Sequence, residues 1–240
     1  EDPGAADLRC KAARARAAKE RAERVAEALK QYPDVKKKKK HDKDEARVST
    51  TDPDARKMHM PDGGFRPAYN VQLSVDCASQ IIVNADVIQS GSDSGQLEPA
   101  VQQIQERHEI TPKEFLVDGG YVKREAIENL SSPPYECTVY APVPAPNVSG
   151  KPADQPFKEE TPHVTAWRKR METEQAKAIY KERAATVECV NALARNRGLQ
   201  QFPVRGLKKV RAVALLFALA HNVMRMASLL RKAVELCPSG

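Results

Sequence analysis

Two periods in the pattern of apolar and polar residues predict an α/β domain. Alternation from residue 69 to 76 predicts a half-buried strand, and the β-branched run at 81–87 predicts its partner in a hairpin. A strand at 115–117, a helix at about 123–130 and a strand at about 137–141 follow. Strands that alternate with helices in this way are typical of an α/β fold.

The helical period also marks three longer elements. Apolar residues at this spacing predict a helix in the centre of the chain, with Asp93 or Ser94 as its N-cap. One continuous helix is predicted from about 164 to 197, ending at Gly198. A last apolar helix is predicted from about 207 to 234.

Charged and proline-rich segments divide the chain. Residues 5–31 are dense in Ala, Arg, Lys and Glu, which predicts a long exposed helix that stands away from the core. The stretch 33–47 includes five consecutive lysines and indicates a mobile basic linker. Six prolines between 142 and 162 mark a second irregular segment. We therefore expect a helical region with its Lys-rich linker at 1–48 and a folded domain at 49–235.

The formal charge of +7 is distributed unevenly. Residues 1–60 contain 17 basic and 12 acidic residues, residues 61–160 contain 7 and 15, and residues 161–232 contain 15 and 4. Basic ends suit a nucleic acid, because neutralisation of phosphates by Lys and Arg supplies most sequence-independent affinity. Helices whose solvent-facing sides are simply rich in Lys and Arg explain the same charge equally well.

Cysteine usage and hydropathy indicate a reduced, cytoplasmic protein. The five cysteines form no Cys-x2-Cys pair, which argues against a zinc ribbon or a redox motif. The longest uninterrupted apolar run, 212–220, is shorter than the roughly 20 residues that a bilayer requires, so no membrane span is expected. His221 and Asn222, within the last helix, are expected to be a packed, hydrogen-bonded pair rather than metal ligands.

Asp118 is the first candidate for chemistry. It follows a predicted buried strand and precedes a Gly-Gly turn, and this edge is where α/β sheets expose reactive groups. An aspartate at this place also suits a turn by itself, because its side chain accepts hydrogen bonds from the local backbone.

A stripe on the predicted long helix is the second candidate. At about 100° per residue, one carboxylate and several cationic residues fall on one face: Lys177, Lys181, Ala184, Glu188, Asn191 and Arg195. The carboxylate could bind a metal while the cations hold phosphates. Surface ion pairs between Glu188 and its cationic neighbours would explain the same stripe without a site.

These residues resemble a signature of the DDE transposases of bacterial insertion sequences, Tyr-x2-Arg-x3-Glu-x6-Lys. Here Tyr180 and Arg183 are followed by Glu188 and Arg195. The spacing from Arg183 to Glu188 is one residue longer than the signature, and Arg195 stands where the family has lysine. Arginine keeps the positive charge but offers bidentate geometry.

A second motif supports the resemblance. The strand that ends in Asp118-Gly119-Gly120-Tyr121 is similar to the family's second catalytic segment, and residues 51–76 are similar to its second strand and the lead-in. The resemblance covers roughly residues 50–230. Two motifs in the expected order make it specific.

The resemblance implies an α/β, ribonuclease H-like domain that binds Mg²⁺ or Mn²⁺ and acts on DNA, both at the terminal repeats of an insertion sequence and in target DNA. In such a domain the first catalytic Asp belongs to the first strand, which we expect upstream of Glu1. Asp76 is the best internal substitute. Residues 49–235 would be the C-terminal portion of the catalytic domain, and a homodimer on paired DNA ends is expected.

The resemblance also implies roles for single residues. Asp118 and Glu188 would be the metal ligands and catalytic carboxylates. Lys181, Arg183 and Arg195 would contact phosphates, and Tyr180 would position the strand.

Two other functions remain open. The chain could be a truncated transposase remnant that binds DNA through its basic ends and cleaves nothing, which the missing first strand favours. A host ribonuclease H-like repair nuclease fits the same chemistry but not the Tyr-Arg-Glu pattern.

Overall fold

The computed structural model describes residues 3–38, 46–60, 62–144 and 161–236. The helices in these ranges are α1 (Pro3–Lys38), α2 (Leu97–His108), α3 (Arg124–Ser131), α4 (Pro162–Glu172), α5 (Glu174–Arg183), α6 (Cys189–Asn196) and α7 (Leu207–Leu236). The strands are β1 (Arg56–His59), β2 (Phe65–Ala68), β3 (Asn70–Val75), β4 (Ile82–Ile88), β5 (Glu114–Leu116) and β6 (Thr138–Tyr140). A 3-10 turn spans Gly119–Tyr121 and a π turn spans Ala184–Glu188.

The strands form three two-stranded sheets within the described residues. β3 pairs with β4, as the alternating pattern predicts, and β5 pairs with β6 in parallel, with Phe115 opposite Val139. The antiparallel hairpin of β1 and β2 was not predicted. Its turn contains Asp62 and Gly63, a pair that commonly signals a hairpin turn, and Gly63 has φ +80°.

Contacts divide the chain into two units, the first comprising residues 1–71, 87–91 and 202–213. Two aspartates link its loops to the beginning of α7. The Asp52 carboxylate accepts hydrogen bonds from the Tyr69 hydroxyl at 2.8 and 2.9 Å and from the Gly206 backbone N–H at 3.2 Å. The Asp54 carboxylate accepts one from the Leu207 N–H at 2.9 Å. Acidic groups at a helix N-terminus satisfy its free N–H groups and suit its dipole.

Helix α1 lies in the first unit and is longer than predicted. It continues through Pro33 to Lys38, so the beginning of the expected linker is helical, while residues 39–45 lie outside the described part of the chain. The expectation that the helix stands away from the core is wrong for its C-terminal part. Ala28 is buried there, and Gln31 accepts a hydrogen bond from Arg56 at 3.0 Å.

The second unit comprises residues 72–86, 92–201 and 214–240 as far as they are described, and it contains the main core. Apolar residues of α2, α3, β6 and α4 form this core, together with Val117. Its largest fully buried side chains are Trp167, Leu97, Ile127, Leu130, Val101, Val139 and Val164. Each such burial stabilises the fold by about 1.5–3 kcal/mol relative to exposure.

A smaller core in the same unit joins β4, α6 and the middle of α7 through Ile82, Ala85, Val190 and Ala218. Asn222 both donates to the Ile82 carbonyl and accepts from the Ile82 N–H, each at 2.8 Å. His221 is buried, and its Nε2 lies 2.9 Å from the Gln80 carbonyl oxygen. The prediction of a packed, hydrogen-bonded pair is confirmed.

The single long helix predicted at 164–197 is wrong. The chain leaves helical geometry at Thr173 (φ −74°, ψ 146°), whose side chain caps α5 by accepting a hydrogen bond from the Ala176 N–H at 3.2 Å. Threonine can satisfy free N–H groups in this way, so it favours a helix start over a helix interior. The predicted end is confirmed, since α6 stops at Asn196 and Gly198 has φ +89°.

The N-cap predicted for α2 is also wrong. The capping position is Gln96, whose side chain makes no capping hydrogen bond. Asp93 instead accepts a hydrogen bond from Gln72 at 2.8 Å. Asp93 thus bonds to a side chain that is distant in sequence, Gln72, instead of to the backbone N–H groups at the start of α2.

Helix α7 is long and apolar enough to cross a membrane by length and composition, over Leu207–Val234, and 17% of its most apolar window is buried. Core helices of soluble proteins can meet the same criterion. The expectation that no segment spans a membrane therefore stays a prediction.

Candidate functional site

Asp118 lies at the end of β5, where the parallel pairing with β6 stops. The last sheet contact is the hydrogen bond from the Val117 N–H to the Tyr140 carbonyl, at 3.0 Å. Asp118 then caps the 3-10 turn, and its Oδ1 accepts a hydrogen bond from the Gly119 N–H at 2.7 Å. The side chain is exposed. A carboxylate held in this way by its own backbone has a defined orientation towards solvent.

A cavity of about 840 Å³ lies beside Asp118 within the second unit. β3 contributes residues 72–75 to its wall and β5 contributes residues 114–116. Helices α2 and α5, the π turn and the turn between β3 and β4 also contribute to the wall. The polar residues that line it include Asp76, Asp93, Asp118, Glu182 and Arg183. The cavity thus brings acidic groups and one guanidinium to a common space.

Tyr121 connects Asp118 to the opposite wall of the cavity. Its hydroxyl donates a short hydrogen bond to the Gln72 side chain on β3, and Gln72 in turn donates to Asp93 at 2.8 Å. Burial, together with the carboxylates of Asp93 and Asp118, raises the pKa of Tyr121 to about 12. Tyr121 therefore stays protonated at neutral pH and acts as a hydrogen-bond donor.

Tyr180, Arg183 and Glu188 form a group at the end of α5 and in the π turn. The Arg183 guanidinium lies over the Tyr180 ring at 5.5 Å, and its Nη2 is 3.7 Å from Glu188 Oε1. Burial raises the pKa of Tyr180, Arg183 lowers it, and Asp118 and Glu188 both raise it. Glu188 is thus paired with Arg183, a residue that lines the cavity beside Asp118.

The other predicted residues lie in simpler surroundings. Lys181 is exposed on α5, and Arg195 is exposed in the last turn of α6. Asp76 lines the cavity, yet its Oδ2 accepts hydrogen bonds from the Ser79 N–H at 2.7 Å and from the Ser79 hydroxyl at 2.6 Å. Asp76 therefore closes the β3–β4 turn, the role that is ordinary for such an aspartate.

Sequence reasoning missed Tyr121, Gln72 and Asp93 as neighbours of the site. Tyr121 belongs to the Asp-Gly-Gly-Tyr motif, so the motif held a usable signal. Gln72 lies at an alternating position of a strand, and nothing in the local sequence distinguishes it from any other polar residue there. Only the packing of β3 near the end of β5 gives it a role.

The carboxylates suit a divalent cation by type, because Mg²⁺ and Mn²⁺ prefer oxygen ligands. Among the described residues, however, no group of three His, Cys, Asp or Glu side chains is arranged to hold a metal ion. Asp118 and Glu188 would supply two carboxylates of a larger ligand set.

Comparison with known proteins gives one match. Residues 136–227 match the model of a family described as the transposase DDE domain. No curated protein and no solved structure matches the chain. The matched segment includes Tyr180, Arg183 and Glu188 but neither Asp118 nor Asp76. Residues 136–227 of this chain are thus similar to a transposase DDE domain.

Proposed function

We propose that this protein is a DNA transposase that uses a divalent metal ion to cleave the ends of an insertion sequence and join them to target DNA. Asp118 and Glu188 are its metal-binding, catalytic carboxylates. Tyr180, Lys181, Arg183 and Arg195 contact the DNA, and the protein acts in the bacterial cytoplasm as a homodimer on paired ends. The metal is Mg²⁺ or Mn²⁺, since its ligands are oxygens.

One observation carries this proposal. The transposase DDE domain matched at 136–227 contains Glu188, and Glu188 pairs at 3.7 Å with Arg183. Arg183 lines the same cavity as Asp118, which lies outside the match, so two acidic residues 70 positions apart in sequence are connected through Arg183. Metal-dependent phosphoryl transfer requires carboxylates from separate elements in one place.

The proposed reaction has two displacements at phosphorus. In cleavage, a water oxygen attacks the phosphorus and the P–O bond to the 3′ oxygen breaks, so a 3′-hydroxyl is released. In joining, that hydroxyl oxygen attacks a target phosphorus and displaces another 3′ oxygen. A bound divalent ion would stabilise the negative charge that develops on the attacking and leaving oxygens.

The cationic residues have a different task from the carboxylates. Arg183 lines the cavity, and its Nε is buried without a hydrogen-bond partner in the described part of the chain. A guanidinium with an unused donor suits a phosphate oxygen. Lys181 and Arg195 are exposed, so they can meet the DNA backbone without rearrangement.

The domain is proposed to be ribonuclease H-like, and the cavity suggests where its first strand belongs. β3 and β5 both line the cavity, and each is paired on one side, with β4 and β6 respectively, among the described strands. An extended segment between them would join the two pairs into one sheet, because unpaired strand edges present free N–H and C=O groups. We propose that a further strand, outside the described residues, fills this place and brings the third carboxylate.

The test is Glu188→Gln in the full-length protein with Mg²⁺. We expect strand cleavage to fall by at least about a thousandfold, because the amide keeps the size of the side chain but loses the charge that holds the metal. Binding to the DNA ends should change little, because it depends on the cationic residues. Cleavage is measured on a labelled DNA end, and binding by gel shift.

The matched control is Glu174→Gln, because Glu174 is also an exposed helical glutamate with a cationic partner, Lys177 at 2.8 Å. This substitution should leave cleavage unchanged. Near-normal cleavage by the Glu188 variant would reject the catalytic assignment. A parent protein that binds DNA ends but cleaves none would favour the alternative function, an inactive transposase remnant.

A further inference from the structure

Helix α7 carries most of the large apolar side chains that the described part of the chain leaves exposed. Eight of them lie within residues 215–234, with exposed fractions between 44% and 73%. They are Leu215, Leu216, Leu219, Val223, Met224, Met226, Leu230 and Val234. Monomers rarely expose apolar side chains in such a continuous group, so a group of this kind marks an interaction surface.

The spacing of these residues shows which kind of partner fits. A set that recurs at alternating intervals of three and four residues, here called the apolar stripe, is fully exposed. It consists of Leu216, Leu219, Val223, Met226, Leu230 and Ala233. The buried residues Ala214, Ala218 and His221 lie on the other side of the helix, facing the fold. A seven-residue repeat of this form is the contact face of paired helices, so the stripe suits a second helix.

No residue of the apolar stripe is charged, and neither are its flanks. The positions beside the stripe usually hold the charged residues of a coiled coil. Here they are Leu215, Ala220, Asn222, Ala227, Leu229 and Val234. The segment 161–232 has 15 basic and 4 acidic residues, so two copies of this chain would repel each other over most of it. Along the stripe, two copies can meet without opposing like charges.

The size of the surface also suits a second copy. Given their exposed fractions, the eight side chains present on the order of 800 Å², and each partner in a stable interface buries about the same area. Elsewhere in the described chain the exposed large apolar residues are Leu8, Leu29, Phe65 and Ile110, which form no comparable stripe. Within this chain, the stripe is therefore matched best by itself.

We propose that the apolar stripe of α7 is a dimer interface, in which it packs against the same stripe of a second copy of this chain. The side chains of one helix insert between those of the other, as the seven-residue repeat allows. A two-fold axis closes the contact, so no further copy is added. The interface gives a surface to the homodimer of the proposed function, and it rests on that function only for the role of the dimer on DNA.

The test is the oligomeric state of the full-length protein, measured by sedimentation velocity without DNA and with a reducing agent. We expect the parent to be a dimer at about 10 μM. The double variant Leu219→Lys, Met226→Lys should be a monomer, because each copy would bring two buried, unpaired charges to the interface. Both side chains are exposed in the single chain, so its circular dichroism spectrum should not change. The matched control, Leu8→Lys with Ile110→Lys, changes two equally exposed residues and should stay dimeric.

Leu219→Ala tests the stripe without adding charge. Alanine favours a helix and Leu219 is exposed in the single chain, so the fold is retained. We expect the dissociation constant of the dimer to rise by at least about tenfold, because both copies lose apolar contact. Leu8→Ala is its control and should leave the dissociation constant unchanged.

Three results would overturn the inference. The first is a parent that is monomeric at this concentration, and the second is a Lys double variant that remains a dimer. The third is a monomeric parent that sediments with vesicles of phosphatidylglycerol and phosphatidylcholine, which would assign the stripe to a lipid surface.

The inference and the proposed function fail separately. A parent that dimerises through the stripe but cleaves no DNA retains the interface and rejects the proposed function. A monomer that cleaves DNA ends rejects the interface and retains the function.

Discussion

Arg183 shows how one side chain can serve several neighbours. Its guanidinium stacks on Tyr180, pairs with Glu188 and lines the cavity that also contains Asp118. The Arg183 side chain is 21% exposed and the Glu188 side chain is 65% exposed, so solvent screens their ion pair and it contributes little to stability. The planar guanidinium is therefore more relevant to DNA contact and to the orientation of Glu188 than to folding.

Arg183→Lys separates charge from shape. The substitution keeps the positive charge but removes the planar group that stacks on Tyr180 and can bind phosphate through two nitrogens. We expect cleavage to fall about tenfold or more while the Tm stays near that of the parent. Arg197→Lys, at the exposed end of α6, is the control and should leave both unchanged. Equal effects of the two substitutions would remove Arg183 from the site.

At the scale of elements, α7 shows that one helix can have two different roles along its length. Its first residues are capped by Asp54 in the first unit, and its second half holds the β3–β4 hairpin through side chains that bind backbone groups. Arg225 adds a further bond to the Ser79 carbonyl oxygen, at 2.6 Å. The hairpin that lines the cavity is thus held by α7 through polar groups as well as through Ala218.

Asn222→Ala tests this anchoring. The substitution removes both hydrogen bonds to the Ile82 backbone and leaves its N–H and C=O without their partner. We expect a loss of about 2 kcal/mol in the free energy of unfolding, measured by urea titration. Ser228→Ala, two turns further along α7, should change it by no more than about 0.5 kcal/mol. A loss for Asn222→Ala as small as that control would show that the helix does not hold the hairpin in this way.

At the scale of the whole molecule, charge is the feature most relevant to DNA. The segment 161–232 has 15 basic and 4 acidic residues, and it includes Tyr180, Lys181, Arg183 and Arg195, which are proposed to contact DNA. The acidic segment 61–160 contains Asp76, Asp93 and Asp118, which line the cavity. A negative site beside a basic surface suits a cation at the point where a phosphate approaches.

This distribution predicts DNA binding that depends strongly on salt, because counterions are released when phosphates are neutralised. Replacing the five lysines at 36–40 with serines should weaken binding to all DNA sequences alike, without changing preference. The salt slope should fall by roughly 1 for each phosphate that the replaced lysines no longer neutralise. Affinities measured from low to high salt test this. Binding that is independent of salt would contradict a backbone-directed interaction.

The sequence alone determined the elements whose signal is local. Periodicity and backbone preferences depend on residues that are close in sequence. They predicted the β3–β4 alternation, the core residues of α2, the end of α6 at Gly198 and the span of α7. The Asp-Gly-Gly-Tyr and Tyr-Arg-Glu motifs also indicated the candidate residues, because the residues of each motif lie close together in the sequence.

Only the tertiary structure decided how these pieces meet. The Thr173 break and the π turn interrupt a segment whose composition favours one helix, and the Arg183–Glu188 ion pair spans that π turn. Gln72 reaches Tyr121 across 49 positions of sequence, and the cavity is bounded by strands that are separated by α2. Such interactions depend on chain segments that are distant in sequence, so no local pattern contains them.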